Sequence, residues 1–103
     1  MVGGSHDNTF YGGTGSDTMI AAGAKNIFNF AESLSGGSHV IDGFVSGAAD
    51  KIDLIGYTNS QLTAALSNAT VTGGNTTISF DGGHTTITLE GFTGLSSTDF
   101  VVK

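Results

Sequence analysis

The sequence predicts an all-β fold with one short helix, and three observations carry that expectation. A nine-residue pattern repeats at the front of the chain. Short alternating apolar and polar stretches, separated by glycine turns, fill its last third. The composition is rich in turn formers yet apolar enough to fold: 17 Gly, no Pro, no Cys, seven Phe and 38% hydrophobic residues. At 103 residues the chain has the length of one domain with a modest core.

Three blocks align without gaps: Gly3 to Tyr11 (GGSHDNTFY), Gly12 to Ile20 (GGTGSDTMI) and Ala21 to Asn29 (AAGAKNIFN). The eighth place of each block is large and apolar: Phe10, Met19 and Phe28. The sixth place is Asn8, Asp17 and Asn26, and the first two places are small throughout. Alternate side chains of a strand point to opposite faces, so a short strand in each block turns its eighth residue inward. The residues before it must turn sharply, which favours glycine where φ is positive or backbones approach closely. The sixth side chain then lies beside the turn, where an oxygen ligand among backbone carbonyls suits a hard cation such as Ca²⁺. The same amides also suit side-chain to backbone hydrogen bonds that need no metal. Both readings of Asn8 and Asn26 stand at this point.

The middle block, Gly12 to Ile20, fits the G-G-x-G-x-D-x-U-x nonapeptide, and the chain resembles the repeats-in-toxin family of β-rolls. The neighbouring blocks depart from it, with His6 and Ala24 at the fourth place and Asn8 and Asn26 at the sixth. The resemblance implies a short parallel β-roll over residues 1–29, two blocks to a turn, with calcium between equivalent loops. It makes Gly13, Gly15 and Asp17 candidate metal ligands, with Asn8 and Asn26 on loops that face each other. Asp17 is then expected to face a loop near Phe30 to Ser35, where Glu32 is the available acid. A neutral amide is a poorer calcium ligand than a carboxylate, so weak or empty sites are expected.

Residues 30–103 are expected to form a capping region continuous with the roll. Phe44, Gly47, Asp50, Ile52, Asp53 and Leu54 resemble the segment that closes such rolls, and they add Asp42 and Asp50 as candidate ligands. From the residues alone, both are ordinary solvated turn positions. Thr58 to Asn68 carries Leu62, Ala65 and Leu66 at helical spacing behind a polar cap, which predicts the helix. Thr70–Thr72, Thr76–Phe80 and Thr85–Glu90 alternate, and Gly73-Gly74-Asn75 and Asp81-Gly82-Gly83 between them signal hairpins. The expected antiparallel meander carries Val71, Ile78, Phe80, Ile87 and Leu89 on one face and threonines on the other. Repeat stacks need such a terminal cap.

Charge narrows the partners. The only cations are Lys25, Lys51 and Lys103, and the net charge is −6. Phosphate binding needs clustered Lys and Arg, so no nucleic-acid partner is expected. No apolar run is long enough to span a membrane. There is no His-Glu-x-x-His and no Gly-x-Ser-x-Gly, and Asp81 with Glu90 is the only nearby acid pair in the meander, so no enzyme is expected. His6, His39 and His84 are expected to be structural or solvated.

The resemblance implies a folding cap and export module of a type I secreted protein from a Gram-negative bacterium, with Ca²⁺ as a weak cofactor. Asp99-Phe100-Val101-Val102 resembles a C-terminal export signal for the type I secretion apparatus, and reads equally as a final edge strand. The first repeat begins at Gly3, which reads as an excised fragment whose open roll end invites homo-oligomerisation. The rival function is a calcium-independent adhesin or polysaccharide-binding module using Thr76, Thr77, Thr85, Thr86 and Thr88.

Overall fold

The computed structural model describes residues 8–12, 15–21, 25–31, 36–44, 50–80, 83 and 85–102. The elements are, in order, β1 (Asn8–Gly12), β2 (Asp17–Ile20), β3 (Asn26–Ala31), β4 (Gly37–Asp42), β5 (Asp50–Ile55), α1 (Asn59–Ser67), β6 (Thr70–Thr72), β7 (Asn75–Phe80), β8 (Thr85–Glu90) and β9 (Phe100–Val102). A 3₁₀ turn over Ser97–Asp99 leads into β9.

The strands divide between two sheets, ordered β1-β3-β5-β9 and β2-β4-β8-β7-β6. Successive blocks therefore alternate between sheets, and every second block returns to the same one. β1 pairs with β3 in parallel, with Asn8 opposite Asn26 and Phe10 opposite Phe28. This is the register that the nonapeptide columns predict. β3–β5, β5–β9, β2–β4 and β4–β8 are also parallel. Among the described strands, β8–β7 and β7–β6 run antiparallel, as the hairpin signals predict. The strands after residue 30 thus extend both sheets of the repeat region.

The apolar column becomes the core. Phe10, Phe28, Ile52 and Phe100 stand side by side along the first sheet, all buried. Met19, Ile41 and Leu89 do the same along the second. Phe10 stacks on Phe28 with ring centroids 5.0 Å apart and 6° between planes. Phe44 tilts onto Phe28 from the segment after β4. The large side chains lie on the facing sides of the two sheets, where pleating places every second residue.

α1 forms where expected. Thr58 caps it, its Oγ1 accepting from Gln61 N while Gln61 Oε1 accepts from Thr58 N, a reciprocal capping box. Leu62 and Ala65 face the core. Two details of the expected meander change. Thr76 and Thr85 are buried with Ile78, Phe80, Ile87 and Leu89 because they share their parity along the strand. Their hydroxyls are used there: Thr76 donates to Phe92 O at 2.6 Å, and Thr85 accepts from Gly36 N at 2.7 Å. Val71 lies 56% exposed, on the edge strand β6, where no third strand covers it. Of the threonines on β7 and β8, Thr77, Thr86 and Thr88 face outward, all half-buried.

Gly43 is required by geometry. Its φ is +87°, and a Cβ added there would lie 2.8 Å from Ala21 O. Ala21 N in turn donates to Asp42 O at 2.7 Å. The chain leaving β4 thus crosses the chain leaving β2 at a distance that only glycine permits.

Candidate metal centre

The sixth place of each block precedes the inward apolar residue by two positions, so it opens onto the turn at the start of each strand. Register then lines up the sixth places of successive coils. On the first sheet the column is Asn8, Asn26, Asp50. On the second it is Asp17, His39, Ile87. Each column contains one acid, and each acid meets a nitrogen donor from the neighbouring coil.

Asp50 is 1% exposed, at the start of β5. Its Oδ1 accepts from the Asn26 backbone N at 2.9 Å and from Asn26 Nδ2 at 3.1 Å. One side chain thereby clamps both the main chain and the amide of the preceding coil. The amide of Asn26 donates to a carboxylate, and Asp50 is a buried partner, not the solvated turn residue that its flanking glycines and alanines suggest.

Asp17, half-buried at the start of β2, faces His39. His39 Nδ1 lies 3.1 Å from Asp17 Oδ2, and Nε2 lies 3.0 Å from Gly36 O. The ring is 1% exposed and sits edge-on to Phe30 at 5.1 Å. Asp17 was expected to meet the stretch 30–35. On β4 His39 holds the place two residues before Ile41, in register with Asp17. Glu32, in that stretch, lies outside the described residues, as do Gly13, His6, Asp81 and His84. Gly15 is an exposed bend between β1 and β2. Asp42 ends β4 on its exposed face, in register with Glu90 and away from both columns.

Two further buried acids have structural neighbours. Asp99 Oδ2 accepts from Ser96 N at 3.0 Å, capping the turn before β9. Asp53 is buried in register with Asn29, whose Nδ2 donates to Phe10 O at 3.3 Å. His39 is the residue that sequence reasoning missed. Ser38-His39-Val40-Ile41 parallels Ser16-Asp17-Thr18-Met19 with a spacing of 22 residues, which a nine-residue frame does not sample.

The described side chains do not fit a calcium ion in either column. Calcium takes six to eight oxygen ligands. Here the acids face N–H groups and an imidazole, and the next place in the second column is the apolar Ile87. Among the described residues no three His, Asp or Glu side chains gather into a metal-holding group.

Two sheets of short parallel strands, wound from nonapeptides around an apolar column, define a β-roll repeat module of the calcium-associated kind. The chain belongs to the peptidase M10 serralysin C-terminal family, whose model matches residues 4–103. A search of curated proteins finds no match. The family is the non-catalytic C-terminal part of serralysin-type proteases, and its repeats bind calcium in general. It belongs to secreted bacterial proteins, and no helix among the described residues is long and apolar enough to cross a membrane.

Proposed function

We propose that this chain is the C-terminal folding cap and export module of a type I secreted protein, and that its calcium-linked folding is weakened. The observation that carries the reading is the fate of the last strand. Asp99 is fully buried and caps its turn, and Phe100 is buried beside Ile52 as β9 joins the first sheet. Asp99 and Phe100, two of the residues that resemble an export signal, are thus sheltered in the folded chain and accessible in full only before folding, while Val101 stays exposed. A chain that reaches the apparatus before it folds presents that segment, and it folds outside. β7 and β6 support the capping role, because they continue the second sheet in antiparallel fashion beyond the last parallel pair, β4–β8.

The test is secretion of a reporter fused to this chain in a Gram-negative host carrying a type I apparatus. The fusion is expected in the medium, and deletion of residues 99–103 is expected to retain it in the cell. Export that is indifferent to the deletion removes the export role. The polysaccharide-binding alternative loses two of its five threonines to the interior, because Thr76 and Thr85 are buried.

A further inference from the structure

We propose that nitrogen donors of the chain itself have taken over the coil-to-coil cross-links at which a divalent cation would sit, and that His39 is the residue holding the second sheet in this metal-free state. The inference rests on the reading of weakened calcium-linked folding and deepens it by naming the residues responsible. It starts from a mismatch: the fold is that of a calcium-associated roll, while the side chains at its cross-linking places are wrong for calcium.

A cation between two coils needs oxygens from both. On the second sheet the upper coil offers Asp17 and the lower coil offers the imidazole of His39, whose Nδ1 already contacts Asp17 Oδ2 at 3.1 Å. A hard cation prefers carboxylate and carbonyl oxygen to a ring nitrogen. The ring is fixed in place as well as present. Gly36 O holds Nε2 at 3.0 Å, Phe30 packs edge-on against the ring, and only 1% of the side chain reaches solvent. Displacing it to admit an ion would cost both contacts and leave a void beside Phe30. Beyond His39 the column continues into Ile87, so the following coil has no side-chain oxygen at that place.

The first sheet reaches the same result with different chemistry. Asn26 presents two N–H groups to Asp50 Oδ1, at 2.9 and 3.1 Å, from a coil 24 residues earlier. One of them belongs to the backbone and is present whatever the side chain. In both columns one carboxylate of one coil is met by donors of the other, so adjacent coils attract without an ion. Had the lower residue been a second acid, two like charges would face each other and a cation would be needed between them.

That last point makes the proposal testable by reversal. His39→Asp places a carboxylate opposite Asp17 and removes the donor. In chelator the variant is expected to melt well below the wild type. With calcium at about a hundredfold excess over its Kd, its Tm is expected to rise by roughly 10 °C. Calorimetry is expected to show about one more ion per chain than the wild type, at the sub-millimolar to millimolar affinities of loosely built sites. Asp17→Asn is the second arm, and it stays informative if His39→Asp fails to fold. Under the proposal, any calcium response of the wild-type chain is unchanged by Asp17→Asn, because Asp17 is not a ligand. A wild-type response that Asp17→Asn abolishes overturns the proposal, as does a folded His39→Asp chain with no added calcium binding. These measurements use the purified chain and no secretion step, so their failure is separate from failure of the export role.

Discussion

Replacing Asp50 tests the first column most directly. Asp50 and Asn26 are 1% and 2% exposed, and one carboxylate oxygen receives both the backbone N and Nδ2 of Asn26. Truncation to Ala strands two buried donors, each worth about 1–3 kcal/mol when left unpaired. Some relief comes from water entering the vacated space, so Asp50→Ala is expected to cost about 3 kcal/mol in total. Asp50→Asn keeps a carbonyl oxygen for the same two donors and is expected to cost about 1 kcal/mol. Removing one partner amide, as Asn26→Ala, costs about 1–2 kcal/mol, and the double variant loses less than the two singles added together. The assay is urea unfolding followed by far-UV circular dichroism, run once in chelator and once with calcium. For a domain of this size, about 3 kcal/mol lowers Tm by roughly 12–20 °C. The decisive comparison is between the two buffers. If Asp50→Ala matches the wild type in chelator and differs only with calcium, Asp50 is a cation ligand and the hydrogen-bond account of the column is wrong.

Two further substitutions probe the scaffold that carries these columns. Phe28→Ala removes a fully buried ring stacked on Phe10 and touched by Phe44, and is expected to cost about 3–5 kcal/mol, whereas Phe28→Leu retains most of the packing and costs about 1–2 kcal/mol. Equal losses for the two variants would show that the ring is not packed as described. Gly43→Ala forces a side chain onto a φ of +87° with Cβ 2.8 Å from Ala21 O, for an expected loss of about 2 kcal/mol or more, while Gly94→Ala, with open space around its Cβ, is the control. Matching unfolding midpoints for these two variants would remove the close approach between the chains leaving β2 and β4.

Much of this architecture is written locally. The Phe10, Met19, Phe28 column, the Gly73-Gly74 hairpin turn and the Thr58–Gln61 cap depend on neighbours a few residues apart, and each appears in the structure where local pattern puts it. The threonines divide less cleanly. Thr76 and Thr85 look like surface residues by type, yet strand parity turns them inward, where Phe92 O and Gly36 N satisfy their hydroxyls. Composition names a residue's preference, while parity decides its face. The candidate site was legible only in part, because its contacts are long-range. Asp17 meets a residue 22 positions away and Asn26 one 24 positions away, and both exceed the two blocks that separate Asn8 from Asn26. The connections lengthen along the chain while the strands keep register. A fixed nine-residue frame therefore finds the first pair of coils and then loses step.

Once that drift is removed, the columns explain how a calcium-associated roll can hold together with few acids. On the second sheet the sixth place runs from Asp17 through His39 to Ile87, from charge, to hydrogen bond, to apolar packing. On the first it runs from Asn8 and Asn26 to Asp50, and the one acid closes the series against the Asn26 amide before it. Meanwhile the apolar places never lapse: Phe10, Phe28, Ile52 and Phe100 on one sheet, Met19, Ile41 and Leu89 on the other. A coil that relies on an ion must repeat its acids at each turn, because each ion needs oxygens from both sides. A coil that relies on its core must repeat only its large side chains, and it is free to vary the residues at the turns. The chain conserves the second requirement internally across every parallel pair and meets the first in none of its described pairs. Its coil-to-coil stability accordingly resides in packed rings and paired donors, which is why variants of Phe28 and Asp50 are expected to weaken it in chelator as much as in calcium.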